Sequence, residues 1–598
     1  MRREEEETGP KKAWKSGTTD GAGNAQAMAE SEAAPGKARV AAPVCGSDAA
    51  SCRDTGAAEE PQATEDGSSP SGVPKRDAQS AALEEARRAE NANSEEEAAM
   101  EECFADMVAE AEKLKAEGNE FFKTRLFHQA VEKYTAAIDL ICDNTMTAQT
   151  KQILQVLLCN RAFCQINLEN YGSAVVDAER VIQLNPLFAK AYYRRGCAYC
   201  CLSRYKKAQK DFERVIALST TPDPSVVSRL QECKKQIRLE AFAAAIETEK
   251  TMRASEAVRK EGVETLWPVE KSYDGPVYAP EGGNYCSADF VGSLKEYLKD
   301  TSKRLHKQFA YRMVLDMISL LGKLQTLERI RIGDEEEITV CGDVHGQYYD
   351  LCNIFEINGM PSKQNPYLFN GDFVDRGSFS VECILLLYAA KLAFPDAFHL
   401  TRGNHETFEM NRLYGFRGEV IHKYDERLYN LFCESFRLLP LAFVLNDAVF
   451  VVHGGLLSRD DVTLDEISKI DRDREPPDGG LMTDLLWSDP SPLPGRSPSK
   501  RGVACQFGPD VTAAFLKLNN LKMVIRSHEM KDEGYELCHN GQLVTVFSAP
   551  NYCDQMKNKG AFVRLDGKTL TPKYTQFEAV PHPATRPMQY ANPMLSFM

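Results

Sequence analysis

The stretch Tyr367–Ser378 reads YLFNGDFVDRGS. An apolar run fit for a buried strand gives way to Asp372, Asp375 and Arg376 within a few positions. Asp beside Gly is ordinary turn chemistry. An ionised carboxylate at the edge of an apolar core is costly, however, unless a cation compensates it. The stretch is either a polar turn or one part of a metal site at a strand end, and the rest of the chain decides between them.

The same design recurs through the C-terminal half, after about Gly282, where the pattern is mixed α and β. EITVCGDVHGQ ends its apolar run in Asp343 and His345, FHLTRGNHE in Asn404 and His405, and AVFVVHGG in His453. MVIRSHE ends in His528, and LVTVFSAPNYCD in Tyr552. Ligands of α/β sheets gather outside the carboxyl ends of strands, so these clusters converge in space. The converged set of Asp343, His345, Asp372, Asn404, His453 and His528 offers nitrogen and oxygen donors and no thiolate. Such a set suits divalent ions of the Mn, Fe or Zn class, with Mg also admissible. One carboxylate can bridge two ions about 3.5–4 Å apart, the spacing of hydrolytic two-metal centres.

At 598 residues, 43% of them hydrophobic, the chain is long enough for several domains. No stretch approaches the roughly 18 apolar residues that span a bilayer. The N-terminus, MRREEEETGPKKAW, lacks an apolar signal region, so a cytoplasmic location is expected, with the nucleus also open. The 18 cysteines are then expected as reduced thiols. Cys197, Cys200 and Cys201, with no second pair at finger spacing, read as helix packing rather than zinc ligands. The net charge of −15 is concentrated toward the N-terminus and argues against general nucleic-acid binding. Residues 111–220 carry a basic excess, which suggests an acidic partner. Residues 1–100 are rich in Ala, Glu, Gly, Ser and Pro with almost no aromatics, and read as a disordered acidic extension. Helical character is expected to begin between Ala81 and Glu112.

From Ala111 an internal repeat appears. Gly118, Phe121, Ala130, Tyr134 and Ala137 fill the slots of a 34-residue helix–turn–helix template; Ala162, Ala174, Ala178 and Pro186 fill a second copy, and Gly196, Tyr199, Ala208 and Phe212 a third. These units, at 111–144, 155–188 and 189–222, resemble tetratricopeptide repeats, with about ten extra residues around Asn144–Gln152. A capping helix and linker are expected over 223–262. Such a stack presents the first helix of each unit to a concave groove. Lys115 and Asn119, Asn160, and Lys190 and Arg194 would line it with donors suited to gripping a carboxylate. Their spacing resembles the carboxylate clamp of tetratricopeptide domains that bind the C-terminal Glu-Glu-Val-Asp tails of heat-shock chaperones.

GDVHG, GDFVDRG, RGNHE, HGG, WSDP, RGVACQFG, RSHE and SAPNYCD together resemble, in family order, the signatures of the metal-dependent PPP serine/threonine phosphatases. The likeness covers Val263 to the C-terminus, departing slightly at Val344. It implies an α/β metallophosphoesterase β-sandwich with flanking helices over 263–598, preceded by an all-α tetratricopeptide superhelix. It further implies that Asp343 and His345 hold one metal, that Asp372 bridges to a second, and that Asn404, His453 and His528 complete the second site. Arg376 and Arg501 would clamp the phosphate, with Asn404 and Tyr552 also lining the substrate cleft. His405, oriented by Asp375, would be the general acid for direct attack by metal-activated water.

The resemblance also implies autoinhibition, with Glu169 of the second repeat contacting Arg376, relieved by chaperone tails and by fatty acids. Two other readings stay open: a chaperone-bound scaffold with weak activity, and a metallophosphoesterase acting on nucleotides or diesters.

Overall fold

The computed structural model describes residues 76–142, 147–221, 223–246, 252–280, 285–586 and 588–592. Residues 1–75 of the expected disordered extension lie outside the described residues. From Arg76 the chain is helical, which corrects the extension's expected end at residue 100. Ala, Glu and Arg dominate this part of the helix, and all three rank high in helix propensity.

The helices of the repeat region are α1 (Arg76–Lys123), α2 (Phe127–Cys142), α3 (Ala148–Asn167), α4 (Tyr171–Leu184), α5 (Ala189–Cys201), α6 (Tyr205–Leu218) and α7 (Pro224–Ile246). From α2 onward each packs against the next. Val108 and Ala111 of α1 share a core with Ala130, Tyr134 and Leu157. A Cβ on Gly118 would stand 2.6 Å from the Tyr134 ring, so this close approach requires glycine. Helix α3 begins at Ala148, capped by the Thr147 hydroxyl, which accepts the Thr150 N–H at 3.2 Å. Part of the insertion after the first repeat therefore lengthens α3 ahead of residue 155 instead of forming a loop.

The repeat is also written in an ion pair. Arg161 on α3 donates to both carboxylate oxygens of Asp177 on α4, at 2.9 and 2.7 Å. Arg195 on α5 donates to Asp211 on α6 at the same two distances, 34 positions further on. Each pair ties the two helices of one unit together in the planar two-pronged geometry that makes Arg–carboxylate bonds strong.

The C-terminal part contains two mixed sheets. One, ordered β14-β13-β2-β3-β4, comprises β2 (Glu337–Cys341), β3 (Tyr367–Phe369), β4 (Phe398–Leu400), β13 (Gly560–Asp566) and β14 (Pro572–Phe577). The other, ordered β1-β5-β6-β10-β12-β11, comprises β1 (Leu327–Ile330), β5 (Ala442–Leu445), β6 (Val449–Val452), β10 (Met523–Arg526), β11 (Tyr535–Cys538) and β12 (Leu543–Val546). A small sheet pairs β7 (Asp489–Pro490), β9 (Cys505–Phe507) and β8 (Arg496–Pro498).

Strand side chains alternate between two cores. Leu368 of β3 and Val449 and Val451 of β6 meet Ile338 and Val340 between the sheets. Tyr367 and Phe369 face a helical layer on one outer side, and Phe450 and Val452 face another on the opposite side. Strands buried on both faces read as unbroken apolar runs, which is why each stood out in the sequence. Strands β2, β3 and β4 run parallel, as do β6, β10 and β12, so their carboxyl ends lie on common rims. A parallel bridge between Asp343 and Phe547 joins the two sheets there.

The expected linker to residue 262 also needs correcting. The helix Ala254–Glu261 belongs to the C-terminal module, because Val258 shares a core with Tyr278 and Phe290. Its Ser255 donates both N–H and hydroxyl to the buried Glu434, at 3.0 and 2.6 Å.

Candidate dimetal active site

All six expected ligand residues stand one to four positions past a strand end: Asp343 and His345 after β2, Asp372 after β3, Asn404 after β4, His453 after β6 and His528 after β10. The loops that carry them are held in unusual backbone geometry. His345, Asp372, Asp375, Arg376 and His528 have φ of 42°, 53°, 71°, 69° and 71°. Non-glycine residues enter this left-handed region at a cost of order 1–3 kcal/mol, and such strain clusters at functional sites.

Asp372 is the hub. Its Oδ2 lies 3.5 Å from His345 Nε2 and 3.3 Å from His453 Nε2. It belongs at once to a group with His345 and His405 and to a group with His453 and His528. Asp343 Oδ2 is 3.8 Å from His345 Nε2. Asn404 Oδ1 and His528 Nδ1 lie 2.9 and 3.2 Å from His453 Nε2. The far nitrogens of two rings are anchored on backbone carbonyls: His345 Nδ1 on Val374 at 3.1 Å and His453 Nδ1 on Asn370 at 2.8 Å. Such anchoring fixes a metal-binding ring with its other nitrogen facing inward.

The electrostatics of this cluster call for cations. Burial pushes the Asp343 and Asp372 carboxyls up to about 7, and it pushes His345 down to about 3. Burial likewise lowers His453 and His528. The imidazoles are thus held neutral, the form that ligates. Asp343 Oδ2 and His528 Nε2 are buried without a hydrogen-bond partner. Close-set carboxylates, neutral rings and orphaned donor atoms fit divalent metal ions.

The residues expected to face the substrate gather at the same rim. His405 Nδ1 is 2.9 Å from Asp375 Oδ2; burial raises Asp375 and lowers His405 from their ordinary values. Arg376 lies with its guanidinium 3.7 Å over the Tyr414 ring. Arg501 donates from Nε to Asp489 at 2.7 Å and from Nη2 to the His528 carbonyl at 2.9 Å. Tyr552 packs edge-on against Phe547, 5.2 Å between centroids, and 5.2 Å from His345. The cleft lined by His345, Asp372, Arg501 and Tyr552 is walled on another side by Gln165, Glu169 and Ser173 of the repeats. Glu169 Oε1 stands 2.5 Å from Arg376 Nη2.

Two residues of the site had no role assigned from sequence. Glu406, fully buried, accepts the backbone N–H groups of Asp372, Phe373 and Gly403 at 2.8–2.9 Å, pinning the two ligand loops together. Asp489 holds Arg501 and the buried Arg526 at once. Both lie inside quoted motifs, RGNHE and WSDP. For Glu406 the available signal was a carboxylate past a strand end with no ligand role assigned; Asp489, just after the helix Leu481–Trp487, offered none.

A family model described as calcineurin-like phosphoesterase matches residues 337–532, one described as the PPP5 TPR repeat region matches 230–329, and a tetratricopeptide repeat model matches 189–221. Human serine/threonine-protein phosphatase 5 is 48% identical over 485 residues, spanning 81% of this chain and 94% of the relative. The chain belongs to the serine/threonine-protein phosphatase 5 family. It is a phosphoprotein phosphatase. Serine/threonine-protein phosphatase 5 of Arabidopsis thaliana is 46% identical over 540 residues, spanning 82% of this chain and 98% of the relative. A solved structure of a Saccharomyces cerevisiae protein serine/threonine phosphatase with similarity to human phosphatase PP5 is 40% identical; it covers 51% of this chain and 100% of its own, with a TM-score of 0.49.

This phosphatase 5 family member has a second candidate site in its repeat groove. Lys115 and Asn119 lie on α1, Asn160 on α3, and Lys190 and Arg194 on α5, the first helix of each unit. Asn160 donates to Asn119 Oδ1 at 3.3 Å, which also accepts the Tyr134 hydroxyl at 2.7 Å. Lys115 pairs with Glu112 of its own helix. The Arg194 guanidinium stacks 3.7 Å over Phe163, and its Nε is buried without a hydrogen-bond partner.

Proposed function

We propose that this phosphatase hydrolyses phosphoserine and phosphothreonine in proteins with two divalent ions held by Asp343, His345, Asp372, Asn404, His453 and His528. The observation that carries this reading is the position of Asp372, whose Oδ2 stands between His345 Nε2 at 3.5 Å and His453 Nε2 at 3.3 Å. When bound, the metals supply Lewis acidity and a water acidified toward neutral pH. Arg376 and Arg501 fix the phosphate oxygens and offset the charge they gain in the transition state. Asp375 orients the His405 ring, leaving Nε2 to deliver a proton to the departing serine or threonine oxygen. Tyr552 walls the cleft.

The test is phosphoserine-peptide hydrolysis by the full chain after chelation, followed by back-titration with manganese. Activity is expected to vanish and to return as about two ions bind per chain. Turnover by metal-free protein, or full activity with no bound ion, overturns the reading.

We further infer that the repeats restrain the enzyme. The Glu169 carboxylate occupies the face of Arg376 that a phosphate needs, as a built-in anion. The groove of Lys115, Asn119, Asn160, Lys190 and Arg194 is suited to a C-terminal chaperone peptide, whose carboxylates its ammonium, amide and guanidinium donors would meet. Such a ligand, or a fatty acid competing for the apolar seam between repeats and phosphatase, activates only by its higher affinity for the open state.

A further inference from the structure

The helix Phe408–Tyr414 lies between the repeats and the catalytic cleft. Toward the repeats, Glu409 accepts the Ser203 hydroxyl at 3.3 Å, Arg412 donates to Gln236, and Met410, Leu413 and Tyr414 join a core with Cys201 and Tyr205. Asn411 turns the other way and is wholly buried. Its Nδ2 donates to Asp375 Oδ2 at 3.1 Å and to the His405 carbonyl at 2.6 Å. Asp375 Oδ2 is the oxygen that also meets His405 Nδ1, while Oδ1 accepts the Phe416 N–H at 2.8 Å.

An amide NH₂ has two hydrogens, and both are spent on the same functional pair. Asn411 Oδ1, by contrast, is buried without a partner. A buried, unsatisfied acceptor is a cost that a residue kept only for packing has no reason to carry.

We propose that Asn411 is the positioning residue of the His405–Asp375 pair. One hydrogen fixes the Asp375 carboxylate so that Oδ2 points at the ring. The other ties the His405 backbone to the same amide, so ring and carboxylate are held from a single point. Neither a carboxylate nor an alkyl side chain of similar size can make both donations. The inference rests on the reading above that His405 protonates the leaving group.

That dependence supplies the test. A serine alkoxide needs a proton to depart, whereas p-nitrophenolate is stable without one, so a misplaced acid penalises the first substrate selectively. Loss of fold, metal or phosphate binding penalises both. The full chain with manganese is assayed on a phosphoserine peptide and on p-nitrophenyl phosphate, as Asn411→Leu, Asn411→Asp and, for calibration, His405→Asn. For Asn411→Leu the loss of kcat on the peptide is expected to exceed the loss on p-nitrophenyl phosphate by about 10–100-fold, the size usual for orienting partners of a site. KM should change little. Asn411→Asp, which keeps the volume and reverses the donor, is expected to show the same selectivity and decides the matter if thermal melts show that the Leu variant is unfolded.

Equal losses on both substrates in a folded Asn411 variant, or no loss at all, with His405→Asn selective, overturn the proposal and leave the general acid standing. A His405→Asn variant without selectivity overturns the acid assignment and this inference with it.

Discussion

Asp489 stands between two guanidinium groups, and this placement governs what its loss does. Oδ2 accepts from Arg501 and Oδ1 from the fully buried Arg526, at 2.7 and 2.9 Å. Burial pushes this carboxyl up, but Arg501 and Arg526 outweigh it and hold it below 3.8. Its contribution is therefore complete above about pH 3.8 and is lost as pH falls through the lower folded value. Asp489→Asn is expected to lower kcat/KM about 10–100-fold by releasing Arg501. Arg526 keeps Glu529 as a partner at 2.9 Å, so the stability loss at neutral pH should be about 1–3 kcal/mol. Urea melts and peptide kinetics on the same variant check both. His399 acts over a different acid range. Burial, then nearby Lys391, push it down to about 3, and its Nε2 has no hydrogen-bond partner. Its folded value lies below its unfolded one, so stability falls as pH drops from about 6.5 toward 3. His399→Phe, which keeps the edge contact with Phe443, should remove up to about 1.4 kcal/mol per pH unit of that slope, as urea melts across the range would show.

At the scale of elements, the tip of α4 carries the restraint proposed above. A Cβ on Gly172 would stand 2.5 Å from the Gly502 nitrogen and 2.7 Å from its Cα. Next to it, Ser173 donates its N–H to the Lys500 carbonyl at 3.0 Å, and Arg204 donates to the Gly502 carbonyl at 3.2 Å. The loop gripped in this way is the one that presents Arg501. Gly172→Ala is expected to force the tip away and raise phosphopeptide turnover about tenfold, the equivalent of roughly 1.4 kcal/mol of docking energy. Glu169→Gln should raise it too, by freeing Arg376. Unchanged rates in both variants would mean that docking does not limit turnover. The Glu169–Arg376 contact was expected from the family resemblance, but those of Gly172, Ser173 and Arg204 could not be read from the chain, because each joins residues hundreds of positions apart and leaves no local pattern. The strands could be read, since burial on both faces writes them as apolar runs ending in Asp, Asn and His. The repeats could be read from small and aromatic residues at fixed spacing. The helix Ala254–Glu261 was misassigned because its attachment is made by Glu434, far away in sequence. Glu406 was passed over because its partners are backbone N–H groups, which every residue has.

For the whole molecule, the groove and the cleft give separate readouts. Arg194→Ala should weaken binding of a peptide ending in Glu-Glu-Val-Asp by about tenfold or more, measured by calorimetry, and leave p-nitrophenyl phosphate turnover of the unliganded enzyme unchanged. Amidating the peptide's C-terminus should weaken it similarly in the unmutated chain. Tyr171 and Tyr414 meet at 2.5 Å through their hydroxyls, beside an apolar cluster that draws Tyr171, Cys201 and Tyr205 from the repeats and Met410 and Leu413 from the phosphatase. Parting the two modules hydrates these groups together. Hydration of apolar surface raises heat capacity, and the attraction it opposes fades on cooling. Under the proposed restraint, the balance between docked and undocked forms is expected to follow a curve in temperature rather than a line, with docking weakening toward the cold. If the repeats restrain the enzyme as proposed, the seam that joins the two halves would act as a thermal element, with a set point determined by how much apolar surface it covers.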